Sequence, residues 1–358
     1  MKKYNFYSGP AILPPSVFEQ ASKAVIELDH IGLSLIEISH RSKEFTAVLE
    51  EAQQLVRDLT GIGDEYKILF LQGGATMQFC TIPFNMLDTN ETAAYMEIGS
   101  WSKKAIKEAK LFGNVNVVAS SSDKNYTYIP KGFTVPSDSK YFHITTNETI
   151  HGSQMKLIPD SPVPLIGDMS SDIFSRVLDW NKFDMIYAGA QKNLGTSGAT
   201  LVIMKESLLG KVSRPIPTML DYRSHIKDNS LHNTPSTFAL YVCMLTLRWL
   251  KENGGIAVME KRNQAKAALL YSEIERNSLF EGNVAAEDRS LMNVTWIMTD
   301  TSLEETFGQF AKENGCIGIK GHRSVGGFRA SIYNAMPDEG VAKLISIMQE
   351  FEATHMKK

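Results

Sequence analysis

The feature that most constrains this chain is a repeated exchange between short apolar runs and stretches with helical spacing. Residues 67–71 (KILFL), 93–99 (AAYMEIG), 115–120 (VNVVAS), 141–146 (YFHITT), 164–170 (PLIGDMS), 184–191 (DMIYAGAQ) and 199–205 (ATLVIMK) are too short for ordinary helices. Much of each is apolar at consecutive positions, so both faces would be buried. Residues 16–28, 45–59, 76–87 and 103–111 instead bring apolar side chains back every three or four positions, as helices do. This alternation predicts an α/β fold: a mostly parallel central sheet covered by helices.

After about residue 251 the texture changes. A helix rich in Ala and Lys (256–274) leads to the strand-like NVTWIM (293–298), a helix at 303–312, a Gly-rich segment and FRASIY (328–333). These read as a smaller α+β unit. The residues before Leu13 have no strand partner nearby in sequence and are expected to cross to it. The expected division is therefore a large unit, 14–250, and a small one, 1–13 with 251–358.

At 358 residues the chain exceeds one compact domain of usual size, which agrees with two units. Its 37 basic and 40 acidic residues give a net charge of −3, with no block of one sign. That disfavours non-specific binding to nucleic acid or to an anionic membrane, so any phosphate recognition has to be local. Met1-Lys2-Lys3 is not followed by an apolar signal region, and no window approaches 18 consecutive apolar residues. A cytoplasmic protein without a membrane span is expected. Cys80, Cys243 and Cys316 are odd in number and dispersed, which reads as reduced thiols.

In an open α/β sheet, ligands sit beyond the carboxyl ends of the strands. Four unusual features fall there: Gly73-Gly74-Ala75-Thr76, Trp101, Asp168 and Lys192. QGGAT ahead of a helix offers free amides and a hydroxyl at a helix N-terminus, an anion cup, though a tight strand–helix turn has the same look. There is no G-x-G-x-x-G and no Walker lysine, which disfavours dinucleotide and nucleoside triphosphate sites. Trp101 follows a Gly-Ser turn that could aim its indole over the sheet edge; a core tryptophan is the other reading. Asp168 could be a helix N-cap, as could Ser170 or Asp172.

Lys192 gives these features a common purpose. In IYAGAQKNLG (186–195) side-chain bulk thins through Ala188, Gly189 and Ala190 before a single amine appears. A lysine that forms a Schiff base with pyridoxal phosphate needs such an uncrowded turn, because the ring must lie flat above it. A carboxylate at Asp168 would keep the pyridine nitrogen protonated, making the ring an electron sink. Beside a cationic ring the lysine's pKa falls, so the freed amine can act as general base. The two residues are 24 positions apart, on successive strands.

The segments FYSGPAILP, SHRSKEF, NETIHG, YAGAQKNLG, HNTPSTF and GHRSVGGFRASIYNAM resemble the phosphoserine aminotransferases, within the fold-type-I, class V pyridoxal-phosphate aminotransferases. The resemblance runs from residue 6 to near residue 336, and GHR…GG-x-RASIYNAM is its most discriminating part. It implies that Lys192 carries the cofactor, Asp168 pairs with the pyridinium nitrogen, Trp101 stacks on the ring and Thr149 bonds the phenolic oxygen. It further implies that Ala75, Thr76 and Gln191 bind the cofactor phosphate, with Asn233 and Thr234 reaching it from the other subunit of a homodimer. Arg329 would clamp the substrate α-carboxylate. His40 and Arg41, with His322 and Arg323 of the partner subunit, would receive the distal anion. No metal is called for.

Such a pocket suits two substrates that both carry a distal anion, phosphoserine and glutamate, since a guanidinium fork grips phosphate and carboxylate alike. Phosphohydroxythreonine is a further substrate of the family. Several members carry arginine where this chain has Thr76, so a weaker hold on the cofactor phosphate is expected. The rival enzymatic readings are other class V reactions, cysteine desulfuration or transamination of alanine or serine. Desulfuration needs a mobile cysteine over the cofactor, which none of the three cysteines obviously supplies. A non-catalytic binding protein on the same scaffold is the rival outside catalysis.

Overall fold

A computed structural model describes residues 2–355. The chain opens with β1 (Tyr4–Asn5), α1 (Pro15–Ile26) and α2 (Lys43–Thr60), followed by β2 (Tyr66–Leu71), α3 (Gly74–Met86), β3 (Thr92–Glu97), α4 (Ser100–Ala109) and β4 (Asn114–Ser120). Then come β5 (Phe142–Thr145), β6 (Leu165–Asp168), β7 (Met185–Gly189) and β8 (Thr200–Lys205). Three helices follow, α5 (Tyr222–Lys227), α6 (Thr237–Glu252) and α7 (Gly255–Arg276). The remaining elements are β9 (Phe280–Gly282), β10 (Asn293–Met298), α8 (Glu304–Glu313), β11 (Cys316–Ile317), β12 (Phe328–Ser331) and α9 (Asp338–His355).

Seven strands form the central sheet in the order β2-β8-β7-β6-β5-β3-β4. Only β8 runs against its neighbours, β2 and β7. The ten residues from 190 to 199 that join β7 to β8 are too few for a crossover helix, so the chain must turn straight back. That return loop carries Lys192.

Alternation along the strands supplies both faces. Phe70, Ile144, Ile186 and Leu201 point into the core shared with α2 and α6. Leu69, Tyr95, Ile166 and Tyr187 point to α3 and α4, where Phe79 and Ile106 meet them. α2 illustrates the local logic. Ser42 caps it by accepting from the Phe45 amide, Gly61 ends it at φ +71°, and Phe45, Val48, Leu49, Ala52, Leu55 and Val56 form its buried stripe.

A separate apolar cluster joins Phe6 to α7 (Leu270, Ile274), β10 (Val294, Trp296), α8 (Phe307) and α9 (Leu344, Phe351). β12, β10 and β9 make an antiparallel sheet there. The N-terminal residues do cross to this region: β1 pairs in parallel with β11, Tyr4 opposite Cys316. Three helices lie outside the sequence expectations, the short α5 among them. α6 is buried on every side from Ala239 to Leu247, so it shows no amphipathic period; α9 follows the last expected strand.

Candidate active site

The carboxyl ends of β5, β6 and β7, the start of α3 and the first turn of α4 enclose a cavity of about 220 Å³. Its lining includes Ala75, Thr76, Trp101, Thr149, Asp168, Gln191, Lys192 and Arg329.

The 190–199 loop tightens immediately after β7. The amides of Leu194 and Gly195 both donate to the Ala190 carbonyl, at 3.3 and 2.7 Å. The thinning of side chains has a steric cause. A Cβ on Gly189 would sit 2.8 Å from Gln191 Oε1, and one on Gly195 would sit 2.9 Å from Cys243 Sγ of α6. With bulk excluded, the Lys192 side chain reaches inward and its Nζ donates to Thr149 Oγ1 at 2.7 Å. The same nitrogen lies 5.3 Å from the centre of the Trp101 ring. Burial pushes the amine down to about 8, while Asp168 and Glu148 oppose that shift.

Asp168 ends β6 and is 4 % exposed. Its Oδ1 accepts from the Ser170 amide at 2.9 Å and the Ser170 hydroxyl at 2.6 Å. The helix-cap reading is thereby corrected for Asp168, Ser170 and Asp172 alike, because the first helical turn after β6 is a single 3-10 turn at Trp180–Lys182, and Asp179 caps it. The carboxylate closes a turn on Ser170 instead. Burial raises the pKa of Asp168 against the pull of Ser170 and Lys192. Tyr187, its register neighbour on β7, shares its hydroxyl with His143 Nε2 at 2.9 Å.

Trp101 stands in the first turn of α4, and its indole Nε1 is buried without a hydrogen-bond partner among the described residues. α3 starts on Gly73 (φ +88°) and Gly74 (φ +67°) with no side-chain cap, so its first amides have no acceptor from within the helix. Gly73 is needed there because a Cβ would meet Met77 Cβ at 2.6 Å.

Arg329, on β12, is 7 % exposed. It donates from Nη2 to Ser8 Oγ at 2.9 Å and from Nη1 to the Thr149 carbonyl at 3.3 Å, while its Nε has no partner among the described residues. The N-terminal segment thus passes over the site, and the Ala11 amide donates to the Gln191 carbonyl at 2.9 Å.

Five of the expected residues do not line this cavity: His40, Arg41, Arg323, Asn233 and Thr234. Arg41 and Arg323 are exposed. Asn233 borders a neighbouring cavity of about 310 Å³ with Gln72 and Gly73, and Gln72 Nε2 donates to the Thr234 carbonyl at 2.8 Å. His322, expected from the partner subunit, lines its own chain's cavity beside Arg329. The segment after β11 runs directly into β12, which carries Arg329, and that continuity holds His322 close.

Sequence reasoning did not single out Ser8, Gly9, Asn147, Glu148 and Ser171 as site residues. Four of them line the cavity, and Glu148 bonds to Trp101 at its edge. FYSGPAILP and NETIHG contain the signal for most of them, but a motif does not say which of its polar atoms face inward.

The result is a confined amine, a buried carboxylate, an aromatic face, an uncapped helix start and a buried guanidinium around one cavity. Comparison with known proteins agrees with this chemistry. The aminotransferase class-V family model matches residues 3–344. A phosphoserine aminotransferase of Flavobacterium johnsoniae is 56% identical over 354 residues, covering 99% of both chains. The phosphoserine aminotransferase structure from Bacillus circulans subsp. alkalophilus superposes with a TM-score of 0.96 at 45% identity, covering 99% of each chain. A PLP-bound phosphoserine aminotransferase from Trichomonas vaginalis gives 0.92 at 37% identity, over 97% of this chain and 100% of that one. The chain belongs to the class-V aminotransferase family, with the fold-type-I architecture. Its place within that family is among the phosphoserine aminotransferases.

Proposed function

We propose that the chain transfers an amino group between L-glutamate and 3-phosphohydroxypyruvate, giving O-phospho-L-serine and 2-oxoglutarate, with pyridoxal phosphate as cofactor. The same distal-anion chemistry extends to 4-phosphohydroxy-threonine. The observation that carries this reading is the Lys192–Thr149 contact of 2.7 Å inside a cavity that also holds Asp168, Trp101 and Arg329.

The residues present fit the cofactor. Trp101 and the start of α3 both line the cavity, and among the described residues neither the buried indole Nε1 nor the N-terminus of α3 has a side-chain hydrogen-bond partner. When bound, the cofactor supplies a sink for the electron pair left on the substrate's Cα and stores the amino group between half-reactions. In this reading Asp168, fixed by Ser170, holds a proton on the pyridine nitrogen. Thr149 donates toward the phenolic oxygen, and the Trp101 indole covers the ring. Ala75, Thr76 and Gln191 hold the phosphate, with α3 adding its N-terminal partial charge. Lys192, once free, takes the proton from Cα; an amine depressed to about 8 is partly neutral near neutral pH and suits that task. Arg329 grips the α-carboxylate.

The chain acts as a cytoplasmic homodimer in this proposal. Asn233 and Thr234 of one copy complete the phosphate site of the other, and His40 with Arg41 of one copy meets His322 with Arg323 of the other at the distal anion. The exposure of Arg41 and Arg323 supports this sharing. Among the described residues no helix is long and apolar enough to cross a membrane. The division into 14–250 and 1–13 with 251–358 belongs to the same proposal, supported by the separate apolar cluster around Phe6, α7 and α9. Cysteine-based chemistry finds no support. None of the three cysteines lines the cavity, and burial pushes the Cys243 and Cys316 thiols up to about 12.

The test is one half-reaction followed by visible absorbance. Yellow enzyme is mixed with phosphoserine, serine, alanine or cysteine in the absence of a keto acid. Rapid bleaching by phosphoserine alone, reversed by 2-oxoglutarate, is the expected result. Bleaching by alanine or cysteine but not by phosphoserine overturns the substrate assignment.

A further inference from the structure

The site contains a second buried carboxylate that the reaction above does not use. Glu148 is 0 % exposed and directly precedes Thr149. Its Oε2 accepts from the Trp101 amide at 3.1 Å and its Oε1 from the Ile150 amide at 3.2 Å. One side chain therefore pins the first turn of α4 and the residue just after Thr149. The surroundings are shaped to admit it, since a Cβ on Gly99 would lie 2.4 Å from Glu148 Cγ and 2.5 Å from its Oε2. Its main chain closes the same loop, the Glu148 amide donating to the Ser153 carbonyl at 2.8 Å and the Gly152 amide to the Glu148 carbonyl at 2.9 Å.

Capping alone does not account for this residue. Its Oε2 takes one free amide of the first turn of α4, while the Ser102 hydroxyl accepts from the amides of Gly99 at 3.1 Å and Ile98 at 2.9 Å, both ahead of the helix. A buried acid without an ion pair among the described residues is costly, and a neutral side chain could accept one of these bonds. What a neutral side chain lacks is charge. Burial pushes the carboxyl up to about 7, and Lys192 pulls it back down while Asp168 raises it further. Glu148 also acts on Arg329.

We propose that Glu148 is a positioning residue of this site. It holds the Trp101 indole and the Thr149 hydroxyl in register over Lys192, and it places a second negative charge, beside that of Asp168, next to the amine. This rests on the functional reading above.

Two measurements on wild type, Glu148→Gln, Trp101→Ala and the double variant test it. The first uses the cofactor-free protein and follows reductive methylation of Lys192 by formaldehyde against pH, read by peptide mass spectrometry. Asp168, Asp172, Glu148 and Arg329 all act on this amine. Wild type should show a midpoint near 8, and Glu148→Gln a lower one, because only the Glu148 charge differs between them. A purely structural role would alter thermal stability and leave the midpoint in place, which would overturn the proposal.

The second measurement is the affinity for pyridoxal phosphate. Glu148→Gln should weaken it by about 5- to 10-fold, the effect of a charged hydrogen bond made neutral. In the Trp101→Ala background the same change should cost less than about 2-fold, because the ring it positions is gone. Losses that simply multiply overturn the positioning role. Should Glu148→Gln not fold, Gly99→Ala, which crowds the carboxylate without removing it, should lower the methylation midpoint in its place. A wild type that takes up no pyridoxal phosphate sinks the functional reading itself. A normal wild type with an indistinguishable Glu148→Gln sinks only this inference.

Discussion

Lys192 and Arg41 stand at the two ends of the proposed site and are held in opposite ways. Lys192 leaves a tight loop, bonds Thr149 at 2.7 Å and lies under the influence of Asp168 and Glu148, all within one chain. Arg41 is exposed on the turn before α2, and neither its guanidinium nor that of Arg323 makes an ion pair among the described residues. The difference follows from the chemistry each end is proposed to perform. Proton transfer demands fixed distances, so its groups are bonded to one another and shielded from water. A pocket that must accept a phosphate in one half-reaction and a carboxylate in the next gains from long, adaptable cations. In the dimer proposal those cations are ordered only when a second copy and a substrate arrive.

The largest test of this contrast is Lys192→Ala. Removing the proton-transfer group should lower turnover by about 10³-fold or more, measured with phosphoserine and 2-oxoglutarate. Near-normal turnover would show that the buried end is not where the chemistry occurs. Asp168→Ala comes next, with a kcat reduced by about 10²–10³-fold in single-turnover absorbance. A change of 2-fold or less would leave Asp168 as no more than the partner of Ser170.

Arg41→Ala probes the open end. The expected loss in kcat/KM is about 10- to 100-fold for phosphoserine, with little change for a small uncharged amino acid. Mixing refolded Lys192→Ala and Arg41→Ala chains sharpens the comparison, because a hybrid dimer with shared sites contains one intact site. Activity should return to up to about a quarter of wild type. No return would place both ends of the site in one chain.

Thr76→Arg should have a smaller effect, slowing cofactor loss by about 10-fold or less through one added charge at the α3 N-terminus. The smallest expected signal is in stability. The folded amine of Lys192 is depressed to about 8 from an ordinary 10.5. Between those values the unfolded chain binds a proton that the folded chain has released. Wild-type stability should therefore rise with pH across that window relative to Lys192→Met, and run parallel to it below about pH 8. Parallel curves throughout, in denaturant unfolding, would mean that the amine is solvated.

Much of the buried end was legible in the sequence because its signals are local. The loss of bulk at Ala188, Gly189 and Ala190, the QGGAT start of α3 and the carboxylate closing β6 each lie within a few residues of the atoms they serve. Glu148 was not legible, because its meaning depends on an amide 47 positions away. Asp168 read as a possible helix cap for the same reason, since only the fold reveals that no helix starts beside it.

The sequence alone determined the α/β class, the strands of the sheet and the lysine turn. Burial patterns and steric thinning are written in consecutive residues and do not require knowledge of distant neighbours. Tertiary structure decided that β8 runs antiparallel, that α6 lies inside the core and that His322 belongs to its own chain's cavity. It also brought Arg329 within 3.3 Å of a carbonyl 180 positions away, at Thr149. Such contacts are set by how whole elements pack, and a buried helix or a polar atom facing inward leaves no periodic trace of its partner.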